Sequence, residues 1–319
     1  NELLPLSFFH RLIDAESMKD IKKLLGETVY GLREIEDFDI LWENELKRTS
    51  SIVREILPGN RLKKFFLYSY DLFNLKVLFK NKLLVKRGAK REWDILVDMG
   101  TVPLDRMIAI VENEQYVYLP FYRREGVYIL LDLLSNLEKA EIDTRFIDIT
   151  LDKLYFHFML EEARELNEPF LVEYLKTLID LTNIMTFFRV RLADHPRSFL
   201  AEVLIPNGMV DRDKLIESYQ DSLDVLVKNV AYSPYGKLVE NMVSVYEENK
   251  DLALLEKLAD NYLVDYAKKC KFVMFGIQPI VGFMIAKEME VKNLRMVITG
   301  KHAGVPESTL KERLRDAYV

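Results

Sequence analysis

The chain has 319 residues, 49% of them apolar and 30% charged, a balance that supports a packed core and excludes a disordered polymer. Its formal net charge of −6 argues against a general polyanion binder, and its one cysteine excludes a disulfide framework or a multi-thiolate metal site. Glycine numbers only 12 and proline 10, too few for the many tight turns of a sandwich, barrel or propeller, and the length alone allows two or three domains.

In chain order the apolar pattern is helical nearly throughout. Amphipathic stretches cover residues 17–25, 62–82, 125–137, 151–164, 170–191, 213–228, 234–247, 251–272 and 279–299. Residues 115–120 (QYVYLP) alternate, but their helical surroundings make a loop the better reading. Pro169 and Pro279 fit the first turn of a helix, and Gly88, Gly126 and Gly300 read as stops. The longest uncharged run, 272–286, would span about 22 Å as a helix, short of the roughly 30 Å of a bilayer core. No basic segment followed by an apolar one opens the chain, so no signal peptide is expected; the first residue is Asn1 rather than Met, which leaves room for a preceding piece.

A long internal repeat organises these helices. The segments DLFNLKVLFKNK (71–82), DLTNIMTFFRVR (180–191) and EVKNLRMVITGK (290–301) each carry an acid, an Asn three residues on, an aliphatic next to it, and a base eight residues past the Asn. The asparagines are Asn74, Asn183 and Asn293; the bases are Lys82, Arg191 and Lys301. Apolar residues stand at offsets −8, −4, +1, +4 and +5 from each Asn, one face of a 3.6-residue period. The Asn lies inside that stripe, so it must find hydrogen-bond partners on a neighbouring helix or loop. A weaker signature opens each unit: HRLI at His10, DRMI at Asp105 and DKLI at Asp213, the last two after Gly100-Thr-Val and Gly208-Met-Val. Boundaries near Asp98 and Pro206 give three helical units, 1–98, 99–206 and 207–319, the first about fifteen residues shorter inside. The period is too long for a solenoid, so three related all-α domains are expected.

Signs of chemistry are mostly missing. The sequence holds no G-x-x-x-x-G-K-[ST], G-x-G-x-x-G or G-x-S-x-G, and its four histidines are scattered without an H-E-x-x-H pair. Catalytic, cofactor and metal residues are therefore all assigned as none. Cys270 reads as a buried small hydrophobe. The acid clusters at 34–39, 161–168 and 247–251 read as solvated helix faces, and Asp211-Arg-Asp213 as a helix cap. Residues 72–91 contain seven bases and no acid. A solvated helix end opposite the helix dipole is the plain explanation; docking onto an acidic partner or anionic membrane, or onto nucleic acid, are the alternatives. Phe73 and Phe79, which could stack on bases, are expected in the core. Lys82, Arg191 and Lys301 favour their helix ends, and under three-fold symmetry would also offer a ring of charge to a partner.

Residues 275–319 take the reading further. The F-G-x-x-P start at Phe275, the E-x-K-N-L-R at Glu290 to Arg295, Gly300-Lys301 and the closing E-R-L-R-x-x-Y-V at Glu312 to Val319 resemble the C-terminus of the C subunits of archaeal-type and bacterial V-type rotary ATPases, a family related to the d subunit of the vacuolar proton pump. L-G-E-T-V-Y at Leu25 to Tyr30 is similar to that family's L-x-x-T-x-Y, and the likeness extends more loosely through all three repeats. The likeness departs at the N-terminus, where the family usually has a further short helical segment before its HRLI-like motif. The resemblance implies three similar all-helical domains around a pseudo-three-fold axis, forming a funnel. It implies a protein that hydrolyses nothing, receives the D and F subunits of the central stalk, and sits on the proteolipid ring at the cytoplasmic face as a peripheral membrane protein. No cofactor, nucleic acid or small-molecule substrate is implied. The alternative is a helical scaffold unrelated to ATPases.

Overall fold

A computed structural model of the chain describes residues 3–31, 38–57, 59–88, 90–91, 93–137 and 143–319. Among them the secondary structure is helical, without strands. The first helices are α1 (Leu6–Asp14), α2 (Met18–Gly26), α3 (Phe38–Ile56) and the long α4 (Asn60–Lys86). Then come α5 (Leu104–Glu112), α6 (Gly126–Leu137), α7 (Thr144–Glu165) and α8 (Pro169–Leu192). The remainder is α9 (Arg197–Val203), α10 (Arg212–Glu217), α11 (Leu223–Val230), α12 (Gly236–Asn249), α13 (Leu252–Cys270), α14 (Gln278–His302) and α15 (Glu307–Arg313). The QYVYLP segment forms a single 3-10 turn, Tyr116–Tyr118.

The chain divides into two compact units. One comprises Asn1–Ile52, Phe187–His195 and Lys214–Val319; the other comprises Val53–Thr186 and Pro196–Asp213. The first is built around α14, which packs against α13, α1 and α2. Phe8, Phe9, Leu12 and Ile13 of α1 share one core with Leu294, Val297 and Ile298 of α14 and Leu310 of α15. In the second unit α4 and α6 pack on α7. Tyr68, Phe121 and Phe158 meet there, with ring centroids 4.8 Å apart for Tyr68–Phe158 and 5.0 Å for Phe121–Phe158, in edge-to-face geometry.

The repeat stripe explains why α4, α8 and α14 are the long central helices. Of its fifteen apolar positions thirteen are buried; Phe66 and Tyr70 are half-buried. Phe79 belongs to the stripe and is buried, whereas Phe73, one residue before Asn74 and so about 100° round the helix, is 43% exposed. That corrects the expectation for Phe73. Two glycine stops are also corrected: Gly126 opens α6 and Gly300 lies inside α14. Gly88 does follow the end of α4, at φ 78°.

The stretch 213–228 breaks into α10 and α11. Buried Ser218 donates its hydroxyl to Lys214 O at 2.6 Å and accepts Asn229 Nδ2 at 2.8 Å, a side-chain bond that competes with the backbone ladder where the helix ends. Cys270 is buried, and burial pushes its thiol up. Asp211 accepts the N–H of Asp213 at 3.0 Å, at the start of α10. The 161–168 cluster is not a solvated face: Glu162 is 2% exposed and paired with Arg61 at 3.0 Å and Arg123 at 2.7 Å. Two guanidiniums from elsewhere in the unit offset the free-energy cost of that burial. The acids of the 34–39 cluster lie outside the described side chains.

Candidate functional site

The three repeat asparagines make the same bond. Asn74 donates Nδ2 to Val97 O at 2.7 Å and accepts Val97 N–H on Oδ1 at 3.0 Å. Asn183 does so with Ile205, both at 2.8 Å, and Asn293 with Arg315, both at 3.0 Å. Each side-chain amide thus pairs with one residue of the returning chain as a neighbouring strand would, and satisfies a peptide group that has no other helix to join. The three amides themselves are almost fully buried.

The acid one turn earlier holds the next loop. Asp71 accepts Thr101 N–H at 3.0 Å, Val102 N–H at 3.2 Å and the Thr101 hydroxyl at 2.6 Å. Asp180 accepts Met209 N–H at 2.8 Å and Val210 N–H at 3.1 Å. Burial pushes the Asp71 carboxyl up, and the Thr101 and Val102 donors pull it back. The glycine before each loop follows from this cradle. A Cβ at Gly100 would sit 2.1 Å from Asp71 Oδ1, and one at Gly208 would sit 2.0 Å from Asp180 Oδ1. Gly208→Ala is therefore expected to push the carboxylate off its two N–H donors, at about 2–4 kcal/mol, read as a lowered denaturant midpoint. A midpoint unchanged from the parent chain would show that the cradle is dispensable.

The base, three turns on from the acid, closes the C-terminal end of a short helix. Lys82 donates to Val111 O at 3.2 Å, at the end of α5. Arg191 donates to Tyr219 O at 2.8 Å and Asp221 O at 2.9 Å, just past α10. Lys301 donates to Ile13 O at 2.7 Å, at the end of α1. A cation on terminal carbonyls satisfies orphan acceptors and the negative end of the helix dipole together.

The third repeat holds residues 4 and 13 with its acid and base. Glu290, one methylene longer than its aspartate counterparts, accepts Leu4 N–H at 2.5 Å. The spacing on the captured segment is constant: Val102 to Val111, Val210 to Tyr219 and Leu4 to Ile13 are each nine residues apart. By this geometry α1 is the counterpart of α5 and α10. Ile13 then matches Val111 and Tyr219, so HRLI is three residues out of register with DRMI and DKLI.

Around Glu290 lies a buried charge cluster that the sequence patterns did not flag. Lys287 Nζ is 2.8 Å from both Glu290 and Glu45 of α3. Tyr30 donates its hydroxyl to Glu290 at 2.5 Å, and the Lys287 ammonium lies 5.2 Å from the Tyr30 ring centroid. Burial first, then the carboxylates of Glu290 and Glu45, push the Tyr30 phenol far up, so it stays a donor. The T-x-Y sequence sets this up: Thr28 donates to Leu25 O at 2.7 Å and accepts Tyr30 N–H at 3.2 Å, fixing the turn that carries the ring. Ser233 and Tyr235 repeat the turn, with 2.6 Å to Val230 O and 3.2 Å from Tyr235 N.

The sequence matches the family model described as ATP synthase (C/AC39) subunit through residues 1–313. The chain belongs to that family. It is 27% identical to the C subunit of the V-type sodium ATPase of Enterococcus hirae, over 99% of this chain and 95% of that protein. It is 25% identical to the C subunit of the A-type ATP synthase of Methanocaldococcus jannaschii, over 92% and 77% of the two chains. It is 28% identical to the equivalent protein of Thermococcus gammatolerans, over 98% and 85%.

In this member of the C/AC39 family the basic stretch 72–91 is engaged largely within its own unit. Lys76 meets Asp152 at 2.6 Å, Lys80 meets Asp148 at 2.7 Å, and Arg91 meets Glu112 at 2.8 Å. Lys82 adds Glu114 at 2.9 Å, and Lys86 donates to Leu137 O at 2.9 Å. Among the described residues no group of three or more His, Cys, Asp or Glu could hold a metal, and no helix is long and apolar enough to cross a membrane.

Proposed function

We propose that the chain is a non-catalytic component of a V/A-type rotary ATPase that links the rotating central stalk, made of the D and F subunits, to the membrane proteolipid ring. In this reading its three repeats are three similar helical domains about a pseudo-three-fold axis, forming a funnel at the cytoplasmic face. The single observation that carries the reading is the family match through residues 1–313. The repeated locks support it, because a torque-bearing part needs stiffness. Each long helix makes three holds, acid, amide and base, spread over eleven residues or about 16 Å: α4 and α8 on the segment that follows, α14 on Arg315 with its amide and on Leu4 and Ile13 with its acid and base.

The test is recovery of partners from detergent-solubilised membranes on the tagged full chain. The D and F subunits and the proteolipid are expected together; recovery of neither would end the coupler reading. Lys82, Arg191 and Lys301 belong in the same experiment. As partner contacts they should lower recovery when changed jointly to Met with helicity kept. If recovery holds while the denaturant midpoint falls, their carbonyl bonds are their whole role.

A further inference from the structure

We propose that the turn between α13 and α14 is a lipid-binding tip that enters the headgroup layer of an anionic membrane. Phe272, Met274 and Phe275 are 86%, 85% and 85% exposed there, and Val273 is 36% exposed. Three large apolar side chains held in water at one turn mark an interaction site. The base of the turn is fixed, so the tip is held outward. Cys270 and Ile277 on either side are buried, and Lys271 donates to Tyr318 O with its ammonium 4.1 Å from the Tyr318 ring centroid. Gly276, at φ 107°, makes the bend into α14.

Charge selects the partner. No acid occurs from Tyr266 to Lys287, while Lys268, Lys269 and Lys271 stand directly behind the tip. Asp265, the nearest acid before them, is 3.8 Å from Lys268. Shape selects it too. The four apolar residues are consecutive in a turn, so they lack the three- and four-residue spacing of a helical stripe. A protein partner would have to enclose them with a fitted pocket, whereas acyl chains and headgroups accept them from every side. Apolar side chains ahead of lysines are the composition of interfacial anchors, and four residues are far too few to span. This goes beyond the coupling role, because it needs neither stalk nor ring.

The test is flotation of the purified full chain with vesicles of phosphatidylcholine, with and without phosphatidylglycerol. Retention on the anionic vesicles alone is expected, weakening with salt. Phe272→Ser with Phe275→Ser should cut the binding constant at least tenfold. Lys268→Gln and Lys269→Gln should each cost about fivefold at low salt. Met274→Trp supplies a direct reading: its emission should shift to the blue on vesicle addition and be quenched by lipids brominated on the acyl chains. No retention on anionic vesicles, retention indifferent to the tip substitutions, or an indole that stays in water would each overturn the proposal. So would tip-dependent binding to the detergent-solubilised proteolipid ring without any to lipid, which would make the partner a protein. Failure here leaves the recovery of D, F and proteolipid untouched, so the two readings fall separately.

Discussion

Lys287→Met should lower the stability of the chain by about 3–5 kcal/mol, the usual cost of removing one partner from a buried ion pair. Lys287 is 2% exposed and sits 2.8 Å from two carboxylates, Glu45 and Glu290, that are themselves buried. Without the ammonium the two acids face each other across a dry gap. The neutral Tyr30 hydroxyl and Leu4 N–H remain on Glu290, and Arg48 remains 3.6 Å from Glu45. Those donors cannot replace a central positive charge. Denaturation followed by circular dichroism reads the loss. Adding Glu45→Gln to the variant should recover part of it, because one of the two stranded charges is then gone. A loss below about 1 kcal/mol would mean that water reaches the cluster and the pair behaves as a surface one.

The second large effect is Asn183→Leu, expected at about 2–6 kcal/mol. Leucine keeps the volume but strands both the N–H and the C=O of Ile205, and each unmet buried group costs about 1–3 kcal/mol. The same change at Asn74 or Asn293 should cost less. Ile205 is buried, whereas Val97 and Arg315 are half-buried and water can reach their peptide groups in part. The order of denaturant midpoints across the three variants checks the argument. Equal losses at all three would refute the link to burial, and a neutral Asn183 variant would refute the lock itself.

The central helices were legible in the sequence because burial and the 3.6-residue period coincide around Asn74, Asn183 and Asn293. The register of α1 was not. HRLI resembles DRMI as text, but the structure aligns Ile13 with Val111, a shift of three residues. A shift of nearly one turn keeps apolar residues on the same face, so hydrophobicity cannot distinguish the two alignments. Phe9, Leu12 and Ile13, three of the four buried residues of α1, match Met107, Ile110 and Val111. The Glu45–Lys287–Glu290 cluster was illegible for another reason. Its members come from α3 and α14, and nothing local marks a charged residue as one that will be paired in the interior. Glu162 misled for the same reason: four acids in eight residues look like a wet surface until Arg61 and Arg123 are brought to them.

The capture of Leu4 by Glu290 has a cost in time. Those residues are 286 positions apart in the chain, and synthesis at about 5–20 residues per second separates them by roughly 15–60 s. For that interval Phe8, Phe9, Leu12 and Ile13 have left the ribosome while the α14 residues they pack against do not yet exist. The nascent chain therefore carries an adhesive apolar helix, α1, until the last repeat is made.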